Sequence, residues 1–255
     1  MTEALLRVDG LRITYGGVVA VDDATFTVDE GRVVGLIGPN GAGKTSMIDG
    51  LTGYHRPSAG TVPFDGRDVT RTKADRRSRL GLVRTFQSVE LFDDLTVEEN
   101  LRVGAEQVSF LTPFADMFLP HRDRGAEAVG WAMDLLEIHD IADRMPADLS
   151  HGQRKLVSVG RALAQKPRLV LLDEPAAGLD SDESLALGRR LASLPQAGVS
   201  VLLVDHDMGL VLNVCEHIVV LDFGRLIATG SPAQIRNEPK VVEAYLGSSA
   251  EESHG

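Results

Sequence analysis

The chain has 255 residues, 43% hydrophobic and 25% charged, enough for one large domain or two intimate ones with a buried core. That excludes a disordered chain, a collagen-like repeat and a disulfide-stapled mini-protein. A formal charge of −11 also argues against broad binding to nucleic-acid phosphates, and the one cysteine, Cys215, fits a reducing compartment.

The start, Met1-Thr2-Glu3-Ala4, has no basic segment leading into an apolar run, so no signal peptide is expected. No apolar run approaches the ~18 residues of a membrane span. Residues 4–8 and 11–15, then Val18–Val21 and Thr25–Val28, mix apolar and polar residues between turn signals and predict short antiparallel strands. Arg32–Ile37 is nearly all apolar, as a strand buried on both faces is. A glycine-rich turn follows, then a helix over Thr45–Leu51. Thr61–Phe64 and Arg67–Val69 flank Asp65-Gly66 as a hairpin, and the charged Thr72–Arg79 predicts a short helix.

From about Leu91 to Leu149 strand signals vanish. Val97–Gln107 and Arg124–Ile138 predict helices, the second with Val129, Met133 and Leu136 near one face. Apolar strands return at Leu169–Leu172 and Val199–Val204, with a helix over Asp182–Ser193 between them. Val214–Leu221 and Leu226–Ala228 are strands across a Phe223-Gly224 turn. Gln234–Tyr245 is a last helix, and 248–255 is a polar tail. The pattern predicts an α/β core with an antiparallel β subdomain over 1–90 and 155–247, interrupted by a helical insert over 91–154.

Gly38-Pro39-Asn40-Gly41-Ala42-Gly43-Lys44-Thr45 fits G-x-x-x-x-G-K-[ST]. Phosphate carries dense negative charge and needs many donors at close range. Glycines let the backbone wind tightly and aim its N–H groups at a β-phosphate. The helix that follows adds the positive end of its dipole. Lys44 would reach the β- and γ-phosphates, and the Thr45 hydroxyl can ligate Mg²⁺. A buried strand before the turn and a helix after it make a chance match a poor explanation.

Leu169–Leu172 runs into Asp173-Glu174-Pro175. In open parallel sheets, ligands sit beyond the carboxyl ends of strands. Asp173 is placed to hold Mg²⁺, and Glu174 to polarise or position an attacking water. Taken alone, acidic residues also end strands simply because they solvate them. Val201–Val204 runs into Asp205-His206-Asp207, where His206 can donate to a γ-phosphate or be an ordinary surface histidine. Gln87 can ligate Mg²⁺ without adding charge. Ser150 to Gln153 is an S-x-x-Q capping box ahead of Leu156, Val159 and Leu163, an amphipathic helix whose start also suits an anion.

Together these segments resemble the ATP-binding cassette family over about Leu5 to Leu246. Gly38–Thr45 looks like its Walker A motif, Gln87 its Q-loop, Leu149–Gln153 its signature, Leu169–Glu174 its Walker B. Ala177-Gly178-Leu179-Asp180 looks like the D-loop and His206 the switch histidine. Tyr15 matches the aromatic that stacks on adenine. His151 stands where the family usually has glycine, while Ser150 and Gly152 are intact. The resemblance implies a P-loop NTPase, RecA-like core with an antiparallel β subdomain and a helical signature subdomain. It implies ATP and Mg²⁺, with Glu174, His206, Gln87 and Lys44 catalytic and Thr45, Gln87 and Asp173 around the metal. Tyr15, residues 38–45, Ser46, Ser150, Gly152, Gln153 and Asp180 would bind ATP. Two cassettes, identical or paralogous, would pack head to tail, so that Ser150 and Gly152 of one contact the γ-phosphate held by the other.

Within the family, Leu82–Gln87, Pro175–Asp180 and Val242–Gly247 look like the ATPase subunits of branched-chain amino acid importers, as does the insert Val108–Pro120 with Phe110, Phe114, Phe118 and Leu119. Such importers join two cassettes to two permeases and an external solute-binding protein. This would place the chain on the inner face of the membrane through its permeases, without nucleic acid. The phenylalanine-rich insert either covers the helical insert's own core, docks a permease or touches lipid. A cassette ATPase without a membrane partner, of the iron–sulfur assembly type, shares the motifs and remains the alternative. A P-loop kinase or GTPase would need neither Ser150–Gln153 nor His206.

Overall fold

The structure, a computed structural model, describes residues 4–85, 91–105 and 124–251. It divides into two compact units, residues 1–87 with 168–255, and residues 88–167. Gln87 and the insert residues Phe110, Phe114, Phe118 and Leu119 lie outside the described residues.

The first unit holds two sheets. β1 (Ala4–Tyr15) and β2 (Val18–Asp29) are long antiparallel strands of 12 residues each, where short strands were expected. The Asp22-Asp23 turn signal, and the break between residues 8 and 11, are irregularities inside the pair. Gly10 and Asp23 take φ of +58° and +57°, and the Gly10 N–H donates to Thr25 Oγ1 at 2.9 Å. Glycine and aspartate serve bulges and turns alike. β4 (Ala59–Thr61), which the sequence did not announce, pairs with β1, as does β5 (Pro63–Phe64); β6 (Arg67–Asp68) completes the hairpin at Asp65-Gly66.

The second sheet runs β11-β10-β3-β9-β8-β7. β3 (Val33–Ile37), β8 (Leu169–Asp173) and β9 (Ser200–Val204) are buried at every residue, as strands with both faces covered must be. β7 (Leu82–Arg84) is a further parallel strand that went unpredicted, too short to show a period of its own. β10 (His217–Asp222) is parallel to β3, and β11 (Arg225–Gly230) closes the edge antiparallel. Since β8, β9 and β3 are parallel neighbours, their carboxyl ends emerge side by side.

Helix α1 (Lys44–Thr52) leaves β3 through the glycine loop and buries Met47, Ile48 and Leu51. α2 (Ala74–Arg79) follows. Its Arg77, 1% exposed, donates to the carbonyls of Gly50, Leu51, Thr70 and Thr72. It thereby satisfies carbonyls that the end of α1 leaves open. The second unit contains α3 (Val97–Ala105), α4 (Arg124–Leu136) and α5 (His151–Leu163). Val129, Met133 and Leu136 are buried as the spacing predicts. Asn100 is fully buried, and its side chain bonds Phe92, Leu95 and Thr96. The expected insert boundary at 154/155 falls inside α5, which runs unbroken to Leu163; the units divide at 167/168 instead.

Back in the first unit come α6 (Ser181–Ser193), then α7 (Met208–Val214), α8 (Pro232–Arg236) and α9 (Pro239–Glu251). Val214 therefore ends a helix, where a strand was expected. The predicted Gln234–Tyr245 helix is two helices broken before Pro239, whose ring cannot continue the first. The polar stretch from 248, expected as a tail, continues α9 as far as Glu251. Cys215 is buried against Gly35, and burial pushes its thiol up to about 12.

Candidate functional site

The loop between β3 and α1 is set by what cannot fit there. A Cβ on Gly38 would lie 2.0 Å from the Leu221 carbonyl oxygen, and one on Gly43 would lie 2.3 Å from that of Ala20. Gly41 and Gly43 also take φ of +78° and +103°, open to glycine at no steric cost. Within this winding Lys44 is 8% exposed, and its Nζ donates to the carbonyls of Gly38 at 2.8 Å and Pro39 at 3.0 Å. Burial lowers its pKa, and the Glu174, Asp173 and Asp205 carboxylates oppose that shift. The cation is thus held in its own loop, facing the acidic strand ends. Thr45 is exposed and Ser46 half-buried at the helix start. Residues 40–46 line a cavity of about 410 Å³ with Glu174, Val18, Val19, Ala20, Phe223 and Gly224.

Asp173 ends β8 with its side chain 4% exposed. Arg84, on β7, donates through Nη2 to Asp173 Oδ2 at 2.8 Å and through Nη1 to Asp49 on α1. Burial raises the Asp173 pKa and Arg84 pulls it back. Glu174 takes φ of +48° directly before Pro175. A proline favours extended backbone in the residue before it, and strained residues of this kind cluster at functional sites. The Glu174 N–H donates to the Val204 carbonyl at 2.7 Å, and His206 Nδ1 lies 3.7 Å from Glu174 Oε1. Asp205, fully buried, accepts from the N–H groups of Ala176 and Asp207 and so ties the exit of β8 to that of β9. The parallel sheet therefore gathers Lys44, Thr45, Asp173, Glu174 and His206.

Other predicted residues lie elsewhere. Ser150 and Gln153 form the expected capping box of α5: Ser150 Oγ accepts from the Gln153 N–H at 3.2 Å, and Gln153 Oε1 accepts from the Ser150 N–H at 3.0 Å. With Gly152 they belong to the helical unit. His151 is exposed, and Leu156 is only half-buried while Val157 is buried, one step round the helix from the expected face. Asp180 caps α6, its Oδ1 accepting from the N–H groups of Asp182 and Glu183, both at 2.9 Å. Tyr15, expected to carry a nucleobase, is 43% exposed and is not part of the cavity wall; its ring centroid lies 4.3 Å from that of His55.

Arg84, Asp49 and Asp205 are structural partners of the acidic strand ends that no local motif announces. Phe223 has no signal in the sequence beyond its place beside Gly224. A larger cavity of about 530 Å³, by Arg12, Asp22 and Arg225, is a poorer candidate because its charges already pair, Arg225 with Asp22 at 2.6 Å and Arg12 with Asp22 at 3.6 Å. Among the described residues no helix is long and apolar enough to cross a membrane.

Residues 21–177 match the ABC transporter family model, and residues 225–251 match that of the branched-chain amino acid ATP-binding cassette transporter. The chain is 39% identical over 253 residues to the high-affinity branched-chain amino acid transport ATP-binding protein BraF of Pseudomonas aeruginosa, covering 97% of this chain and 99% of that one. It is 37% identical to LivG of Escherichia coli, a protein of the same description, at the same coverage. A crystal structure of the ADP conformation of an ATP-binding cassette from an ABC transporter superposes with a TM-score of 0.84 at 31% identity, covering 96% of this chain and 100% of that one.

Proposed function

Because the chain belongs to the ABC transporter family, we propose that it is the ATP-hydrolysing subunit of an importer for branched-chain amino acids or related solutes. The observation that carries this reading is one sheet edge that sets a buried lysine, two acidic strand ends and a histidine around a glycine loop.

In this reading the backbone N–H groups of residues 40–45, at the start of α1, hold the β- and γ-phosphates, and Lys44 exchanges its carbonyl partners for phosphate oxygens. Glu174 polarises the attacking water and His206 donates to the γ-phosphate. The Thr45 hydroxyl and the Asp173 carboxylate are oxygen donors of the kind Mg²⁺ takes. By the resemblance, Gln87 would add a further oxygen donor beside the nucleotide's own. Bound there, Mg²⁺ would neutralise charge on the β- and γ-phosphates.

Two such cassettes, identical or paralogous, would close over ATP, with Ser150, Gly152, Gln153 and Asp180 completing the site of the other copy. Hydrolysis would remove the shared charge and loosen the pair. Permeases would hold the cassettes on the inner face of the membrane, and an external solute-binding protein would deliver cargo to them.

The test is ATP hydrolysis by the chain co-purified with permeases encoded beside it and reconstituted in vesicles. Solute-loaded binding protein should stimulate turnover. Glu174→Gln should cut the rate by about 10²–10⁴-fold. An unaltered rate in that variant, or no permease retained, would overturn the reading.

A further inference from the structure

The β10–β11 hairpin turns through two residues, Phe223 and Gly224, between the paired Asp222 and Arg225. Their φ values are +42° and +77°, as a type I′ turn requires. The first position of such a turn suits Asn, Asp or Gly, and a bulky side chain in the left-handed region is strained. Phe223 nevertheless occupies it with 87% of its surface exposed, more than any other large hydrophobic residue described. Neither the strain nor the exposure benefits the fold.

Its location is more informative. The turn is fastened to the phosphate loop, since the Gly224 N–H donates to the Ala42 carbonyl at 2.9 Å. On its other side the Gly224 carbonyl accepts from the Asp22 N–H at 2.8 Å. A Cβ on residue 224 would come within 2.8 Å of the Ala20 carbonyl, so only glycine lets the turn sit this close. Phe223 thereby reaches the wall of the cavity that residues 40–46 line, together with Val18 and Val19, 67% and 40% exposed. One part of this cavity is built of amide donors and a lysine. The other offers exposed apolar surface. A nucleotide has the matching halves, anionic phosphates and a base with apolar faces.

We infer that Phe223, with Val18 and Val19, forms the wall against which the base and ribose of the bound nucleotide rest. This inference rests on the reading that residues 38–46 bind ATP. The ring lends affinity through its flat apolar face, which explains why the turn carries phenylalanine where asparagine would be easier.

The strain supplies the control. Phe223→Asn places the favoured residue in the turn and removes the ring, so its Tm should equal or exceed that of the unaltered chain. Affinities of the full chain for ATP and for inorganic tripolyphosphate, which lacks the nucleoside, are measured by calorimetry. In Phe223→Asn the ATP affinity should fall by at least about fivefold, the scale of one base–aromatic contact, while tripolyphosphate affinity holds. Phe223→Tyr, which keeps the flat face, should retain ATP affinity. Unchanged ATP affinity in Phe223→Asn, or an equal loss for both ligands, overturns the inference. Failure of the unaltered chain to bind ATP would instead overturn the parent reading, and the wall with it.

Discussion

Arg84 forks between Asp173 and Asp49, with its side chain 9% exposed and that of Asp173 4% exposed. The arginine does two jobs: it neutralises a carboxylate withdrawn from water, and it ties β8 to α1 through β7. Its planar fork suits two acceptors at once, which a lysine ammonium does not match. Arg84→Ala would leave Asp173 buried without its cation, at a cost of about 3–5 kcal/mol. Urea unfolding of the two proteins measures this, and a loss under about 1 kcal/mol would mean that water already screens the pair. The loop residues around Lys44 were legible because a phosphate demands many donors from one contiguous stretch. The Arg84 pairs were not, because they join residues 35 and 89 positions apart, and no local pattern records that.

At the scale of elements, Gly104 decides how closely α3 can approach α5. A Cβ there would sit 2.3 Å from the Arg161 carbonyl oxygen, a backbone atom that cannot swing aside. Helix propensity alone favours Gly104→Ala by about 1 kcal/mol. Overpacking the contact costs about 1–3 kcal/mol, so the sum should be destabilising. A lowered Tm supports the close crossing; a raised one contradicts it. A sustained period made α4 readable from sequence, and the capping box did the same for α5. Bulges in β1 and β2 were mistaken for turns because the same residues serve both. β7 is three residues long, too short for any period, and takes its identity from the strand beside it.

For the whole molecule, the sequence orders the phosphate loop, the capping box and the acidic strand as one cassette, and the structure sets them in two compact units. The proposed head-to-tail pairing adds a prediction at this scale. Glu174→Gln keeps the binding groups and removes the proposed base, so with Mg²⁺ and ATP it should run as a dimer in light scattering and return to monomer with ADP. If cassettes pair with a paralogue, the same shift appears only when both are mixed. A variant that stays monomeric under both conditions would sink the pairing.

Sequence by itself determined the chemistry that lies along one stretch of chain: the glycine–lysine loop, the carboxylates after an apolar strand, the cap of α5. Such signals survive because backbone donors and neighbouring side chains act within a few residues of one another. Tertiary structure decided what the sheet brings together. It set Lys44 against Asp173, Glu174 and Asp205, gave Asp173 its arginine, rested Tyr15 on His55 and fastened the Phe223 turn to the phosphate loop. Each of these depends on strand order and register, and those follow from burying every side chain of β3, β8 and β9 at once, a condition met only by the folded chain.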